Sequence, residues 1–129
     1  MDPAIGTISH GRREITDDGI YRIASISKVL TALTFAETVC RGEVTPDALL
    51  DRGITLRHLA THTSGLPTTA WVEDARTPED LMAGAAAIEL EAEPGEHWAY
   101  SNLSATLLGH HTAAAAGTDY ETLVRERVT

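Results

Sequence analysis

A helix that is apolar on most of its sides has to be surrounded, and the stretch from Ser25 to Arg41 reads as such a helix. Val29, Leu30, Leu33, Phe35, Ala36 and Val39 leave it little polar surface. Gly42 follows at the place where a helix C-cap needs a residue at home in the left-handed region. The expectation is a buried central helix with the rest of the chain packed around it. At 129 residues, 43% of them hydrophobic, the chain is long enough for one small domain with a modest core.

The remaining segments divide at their turn signals. From Ala4 to about Arg22, Ile5, Ile8, Ile15 and Ile20 are separated by His10-Gly11 and Asp17-Asp18-Gly19, which predicts two or three short strands. A loop through Thr45-Pro46-Asp47 leads to a second helix near 56–63, ended by Ser64-Gly65-Leu66-Pro67. Thr77 is placed to cap a third helix, with Pro78 in its first turn and Glu79 and Asp80 at the positive end of its dipole, running to about Leu90 before Pro94-Gly95. A fourth helix is expected over about 101–116, ending at Gly117. Thr118-Asp119-Tyr120-Glu121 reads as a capping box that opens the last one. There are no internal repeats.

Charge narrows the function classes. Ten basic against nineteen acidic residues give a net charge of −9, which argues against nucleic acid or an anionic membrane surface as partner. Eight of the acids fall between Glu73 and Glu96 with only Arg76 among them. That stretch reads as a solvated outer face, with an acidic docking surface as the alternative. Cys40 is the sole cysteine and sits in the apolar run, where the role of a small buried hydrophobe is expected. No segment reaches membrane-spanning length, and Met1-Asp2-Pro3-Ala4 opens no export signal, so a cytoplasmic location is expected for the chain as it stands.

Lys28 is the only lysine, against nine arginines, and it follows Ser25 by three residues at the head of the first helix. Arginine stays protonated at any workable pH, whereas a desolvated lysine amine can lose its proton and serve as a base. One helical turn separates the two side chains on the same face, so they can touch. Such a pair is the layout of an activated serine nucleophile, provided that Lys28 is mostly buried. Tyr100-Ser101-Asn102, after the Pro94-Gly95 turn, adds a phenol that a nearby lysine would hold close to its phenolate form. Asn102 adds both a donor and an acceptor, suited to orienting an amide and the lysine amine together. On the residues alone, a core tyrosine and an ordinary Asn helix cap are the plainer readings of this pair. His58 and His62 stand four apart, but Leu-Ala-Thr lies between them without the glutamate of a His-Glu-x-x-His zinc site, so no metal is expected.

Tyr21-Arg22-Ile23-Ala24-Ser25-Ile26-Ser27-Lys28 resembles the active-site helix of class C β-lactamases, D-alanyl-D-alanine carboxypeptidases and related esterases. The run Ile54-Thr55-Leu56-Arg57-His58-Leu59-Ala60-Thr61-His62-Thr63-Ser64-Gly65-Leu66-Pro67 looks like that family's helix and turn, and Tyr100-Ser101-Asn102 like its Tyr-x-Asn segment. Order and approximate separation also match. The resemblance implies an α+β fold, mostly α in this chain: the helical subdomain of the β-lactamase/transpeptidase-like fold with a short amino-terminal β-hairpin and an incomplete sheet, residues 1–129 forming one partial domain. It implies a serine hydrolase acting through an acyl-enzyme on an amide or ester, with no cofactor. Ser25 would be the nucleophile, Lys28 its partner in proton transfer, Tyr100 the general base or acid, and Asn102 a substrate contact. The Ser25 N–H would give half of the oxyanion hole, and His62 and Gly65 would belong to a structural turn.

One element of the pattern has no counterpart. The family's third motif, Lys or His followed by any residue and Gly on a strand beside the serine, is not found, since Lys28 is the only lysine and no histidine after Tyr100 has the spacing. That strand would bring the second oxyanion donor and a wall of the cleft. Its absence implies an exposed apolar helix face, covered by a homo-oligomer or by a complementing carboxy-terminal segment. It also leaves open a catalytically silent module that binds a ligand or protein.

Overall fold

The computed structural model describes residues 19–20 and 22–129. Among them a 3-10 turn, Ala24–Ile26, leads directly into helix α1, Ser27–Cys40; α2 spans Leu56–Ala60, α3 Pro78–Ala87, α4 Asn102–Ala115 and α5 Tyr120–Arg127. Strand structure among the described residues is limited to one antiparallel bridge between Leu49 and Thr55. The hairpin expected over residues 4–22 lies almost wholly outside the described residues, and Gly19, Ile20 and Arg22 are not in strand. The described chain is mostly helical.

The helix that others surround is α4, not α1. It packs against α1, α2, α3 and α5, and buries Leu103, Ser104, Leu107, Leu108, Gly109, Thr112 and Ala113. The core is completed by Phe35, Ile54, Leu56, Leu59, Leu66 and Ala85. Helix α1 turns Thr31, Thr34, Phe35 and Thr38 inward while Ile26, Val29 and Leu33 remain 63%, 58% and 51% exposed, and Cys40 is exposed as well. The expected burial of the whole helix is therefore corrected. The buried threonines return their hydroxyls to the carbonyls four residues back, Thr31 to Ser27 (3.1 Å), Thr34 to Leu30 (2.8 Å) and Thr38 to Thr34 (2.8 Å). With that hydrogen bond made, each presents a methyl group and packs as an apolar residue. The opposite face, with Ile20 and Ile23, is left as exposed apolar surface.

Helix ends follow local chemistry. Gly42 (φ +73°) ends α1, its N–H donating to Val39 O (2.9 Å) and that of Glu43 to Thr38 O (3.2 Å). This is the Schellman arrangement. A Cβ at Gly42 would meet nothing within 4 Å, so Gly42→Ala carries only the left-handed backbone penalty. It is expected to cost about 1 kcal/mol, read as a lower urea midpoint at unchanged slope.

Helix α2 ends three residues earlier than expected. His62 takes φ +58°, and Thr63 N–H returns to His58 O (2.9 Å). Helix α3 has the reciprocal cap between Thr77 and Asp80 and ends at Ala87, short of Leu90, with the Arg52 guanidinium donating to Ala85 O and Ile88 O. Helix α5 is capped by Asp119, which accepts from Thr122 N–H (2.9 Å), rather than by Thr118. Every acid between Glu73 and Glu96 is exposed, as a solvated face requires. No helix among the described residues is long and apolar enough to cross a membrane.

Candidate active site

Ala24, at φ +47°, turns the chain into the 3-10 turn that carries Ser25, and Lys28 lies one turn on at the start of α1. The opposing side chains arrive from the amino-terminal end of α4. There Ser101 caps the helix by accepting from Ser104 N–H (3.2 Å), so that Tyr100 stands just before it and Asn102 opens it. Three backbone hydrogen bonds between loop segments fix this approach: Gly95 N–H donates to Thr63 O (2.7 Å), Glu91 N–H to Gly65 O (2.9 Å) and Ala99 N–H to His62 O (2.8 Å).

The four residues singled out by motif spacing meet in one hydrogen-bond network. Lys28 Nζ donates to Ser25 Oγ (3.3 Å) and to Asn102 Oδ1 (2.7 Å). Tyr100 Oη donates to Ser25 Oγ (3.0 Å), and the Lys28 Nζ lies 5.0 Å from the centre of the Tyr100 ring. Hydrogen bonding from Lys28 first, then from Ser25, with the lysine's charge adding to both, holds the Tyr100 phenol below its ordinary pKa. Since Asn102 Oδ1 is taken by the lysine, its amide N–H2 is the part left for a ligand. Lys28 is half-buried rather than mostly buried. A cleft of about 450 Å³ opens on Ser25, Lys28 and Asn102, bounded by Arg22, Trp71 and Thr106.

The two histidines do not share a helical face, because α2 ends before His62. His58 Nδ1 accepts from Thr55 N–H (3.2 Å) and its Nε2 lies against Gly95, while His62 Nδ1 accepts from Ser101 N–H (3.2 Å). His62 packs its ring on Tyr100, centroids 4.7 Å apart at 34°, with Trp98 edge-on at 6.3 Å. Burial, and secondarily the charge on Lys28, lowers the pKa of His62. This third aromatic layer was not legible in the sequence, where His62 reads only as part of a turn.

The β-lactamase family profile matches residues 6–129. The chain belongs to the β-lactamase family. Among its relatives, the D-alanyl-D-alanine-carboxypeptidase/endopeptidase AmpH of Escherichia coli (strain K12) is 32% identical over 133 residues, covering 87% of this chain and 34% of that protein. Esterase EstB of Burkholderia gladioli is 35% identical over 69 residues, 42% of this chain and 18% of that one. In three dimensions the chain is similar to a class C β-lactamase in complex with cefoxitin, with a TM-score of 0.76 and 26% identity over 90% of this chain and 36% of that one. The chain thus spans about a third of the length of AmpH (34%).

Proposed function

We propose that this chain carries the nucleophile half of a serine hydrolase that cleaves an amide or ester through an acyl-enzyme. The observation that carries the reading is Lys28 Nζ bridging Ser25 Oγ and Asn102 Oδ1 while Tyr100 Oη touches the same Ser25 oxygen. With the phenol ionised, the contact reverses and Ser25 O–H donates to Tyr100. Tyr100 takes that proton as Oγ attacks the carbonyl carbon, and the oxyanion is met by the Ser25 N–H. The proton then passes to the leaving nitrogen or oxygen as its bond to the carbonyl breaks. Water, giving its proton to Tyr100, attacks the ester so formed; the bond to Oγ breaks, the acid product leaves, and the proton returns from Tyr100 to Ser25 Oγ. Asn102 N–H2 orients an amide carbonyl of the substrate. β-Lactams, D-Ala-D-Ala peptides and simple esters all fit this chemistry.

A second reading, a silent module that binds a ligand or partner, is favoured by the half-exposed Lys28. The two readings separate on covalency. Incubation with a fluorescent penicillin and with an activated ester, followed by intact mass, is expected to give an adduct that Ser25→Ala abolishes. No adduct with either probe would rule out the hydrolase reading for this chain.

A further inference from the structure

His62 holds three features of the Tyr100 segment at once. Its carbonyl accepts from Ala99 N–H (2.8 Å), its Nδ1 accepts from Ser101 N–H (3.2 Å), and its ring lies against the tyrosine ring between them. The backbone N–H groups of the two residues that flank Tyr100, Ala99 and Ser101, are therefore both tied to one residue. That residue occupies the C′ position of α2, where Thr63 N–H returns to His58 O and where glycine would sit without strain. A side chain at φ +58° is strained where glycine is not, and strain of this kind points to a use for the side chain.

We infer that His62, in its neutral form with Nδ1 unprotonated, is the positioning residue for Tyr100, and that protonating it releases the tyrosine from Ser25. The inference rests on the hydrolase reading only for its consequence on rate. Because Nδ1 is occupied as an acceptor, the neutral ring carries its proton on Nε2, and a second proton has to enter at Nδ1. Ser101 N–H then faces a donor instead of an acceptor. The groups that face the ring set the direction of the shift: the Lys28 charge from α1 opposes the imidazolium, Tyr100 is the titratable group in contact, and His58 of α2 is turned toward Thr55 and Gly95. Burial keeps His62 neutral to more acidic pH than a free histidine, so Tyr100 stays in place across neutral pH.

The test does not depend on turnover. Tyrosine labelled with ¹³C at Cζ, assigned with Tyr100→Phe, is followed together with the Ser101 amide and the His62 ring from about pH 4 to 8. All three are expected to share one inflexion below about 6.5. If Ser101 and Tyr100 do not move while His62 titrates, the inference is overturned. His62→Asn places Oδ1 where Nδ1 stands and tolerates the left-handed backbone, so it should erase the shared inflexion from Ser101 and Tyr100. On the activated ester it should keep the neutral-pH acylation rate within about threefold and lose the additional drop below about pH 6.5 that His62 protonation imposes on the fall set by the Tyr100 phenol. His62→Phe keeps a ring without the acceptor and should lower acylation on the order of 10²-fold, the effect of misplacing a catalytic group by about 1 Å. An Asn variant that retains the additional drop, or a Phe variant that acylates like the parent, refutes the positioning role. Absence of any acylation in the parent chain would remove the hydrolase reading alone, and the amide titration would still decide whether His62 sets Tyr100.

Discussion

Lys28→Met is expected to slow acylation of Ser25 by the activated ester on the order of 10³-fold and to return the Tyr100 phenol toward about 10. Both effects come from one atom. Nζ donates to Ser25 and to Asn102, and hydrogen bonding from Lys28 is the first cause of the depressed phenol pKa, to which its charge adds. Methionine preserves the length of the side chain but leaves Ser25 Oγ without that donor, frees Asn102 Oδ1, and removes the charge that favours phenolate. The sign of the pH effect is fixed: a lowered phenol pKa enlarges the phenolate fraction at any given pH, so losing the lysine moves the limb on which the rate rises with pH to higher pH. Lys28→Arg separates charge from geometry. It keeps the cation, and with it part of the phenol shift, but replaces a compact amine that can give up a proton by a fork that cannot. The Arg variant should therefore retain a depressed phenol in an absorbance titration and still acylate poorly. Acylation by the Met variant within tenfold of the parent would show that the lysine is only a structural neighbour of the serine.

What the sequence disclosed, and what it hid, follows from how far each feature reaches along the chain. The four candidate site residues were legible because each pair is local. Ser25 and Lys28 are one helical turn apart and Tyr100 and Asn102 flank one cap, so short motifs that resemble the family's could single them out, and the fold had only to bring two short segments together. Gly42 and Thr77 announced the end of α1 and the start of α3 for the same reason. The inward face of α1 was misjudged because hydropathy counts a threonine hydroxyl as polar, whereas Thr31, Thr34 and Thr38 spend theirs on the helix's own carbonyls. That exchange leaves Val29 and Leu33 outside. The overrun of α2 has a different origin: a histidine in a position suited to glycine gives no stop signal, and the reason it stands there lies almost forty residues away, at Ser101. Centrality passed to α4 because it is the element that α1, α2, α3 and α5 all contact, a property of the assembly that no stretch of sequence displays.

Gly65→Ala is expected to be the most damaging small substitution outside the network, costing about 3–4 kcal/mol as the sum of a left-handed penalty and an overpacking term. Its comparison with Gly42→Ala isolates the second contribution. The two glycines have nearly the same φ, +79° and +73°, but a Cβ at Gly65 would lie 2.1 Å from the Ala92 carbonyl oxygen, whereas one at Gly42 meets open space. Since the obstacle is backbone, no rotamer change relieves it, and residues 62–65 have to part from the segment 91–99 that they pair with. That pairing is also what delivers Tyr100 to Ser25, so acylation should fall in the fraction of molecules that remain folded. Urea unfolding of the two variants side by side measures the difference. Equal midpoints would mean that the paired segments yield easily, and in that case Tyr100 would be held chiefly by its own contacts with His62 and Lys28.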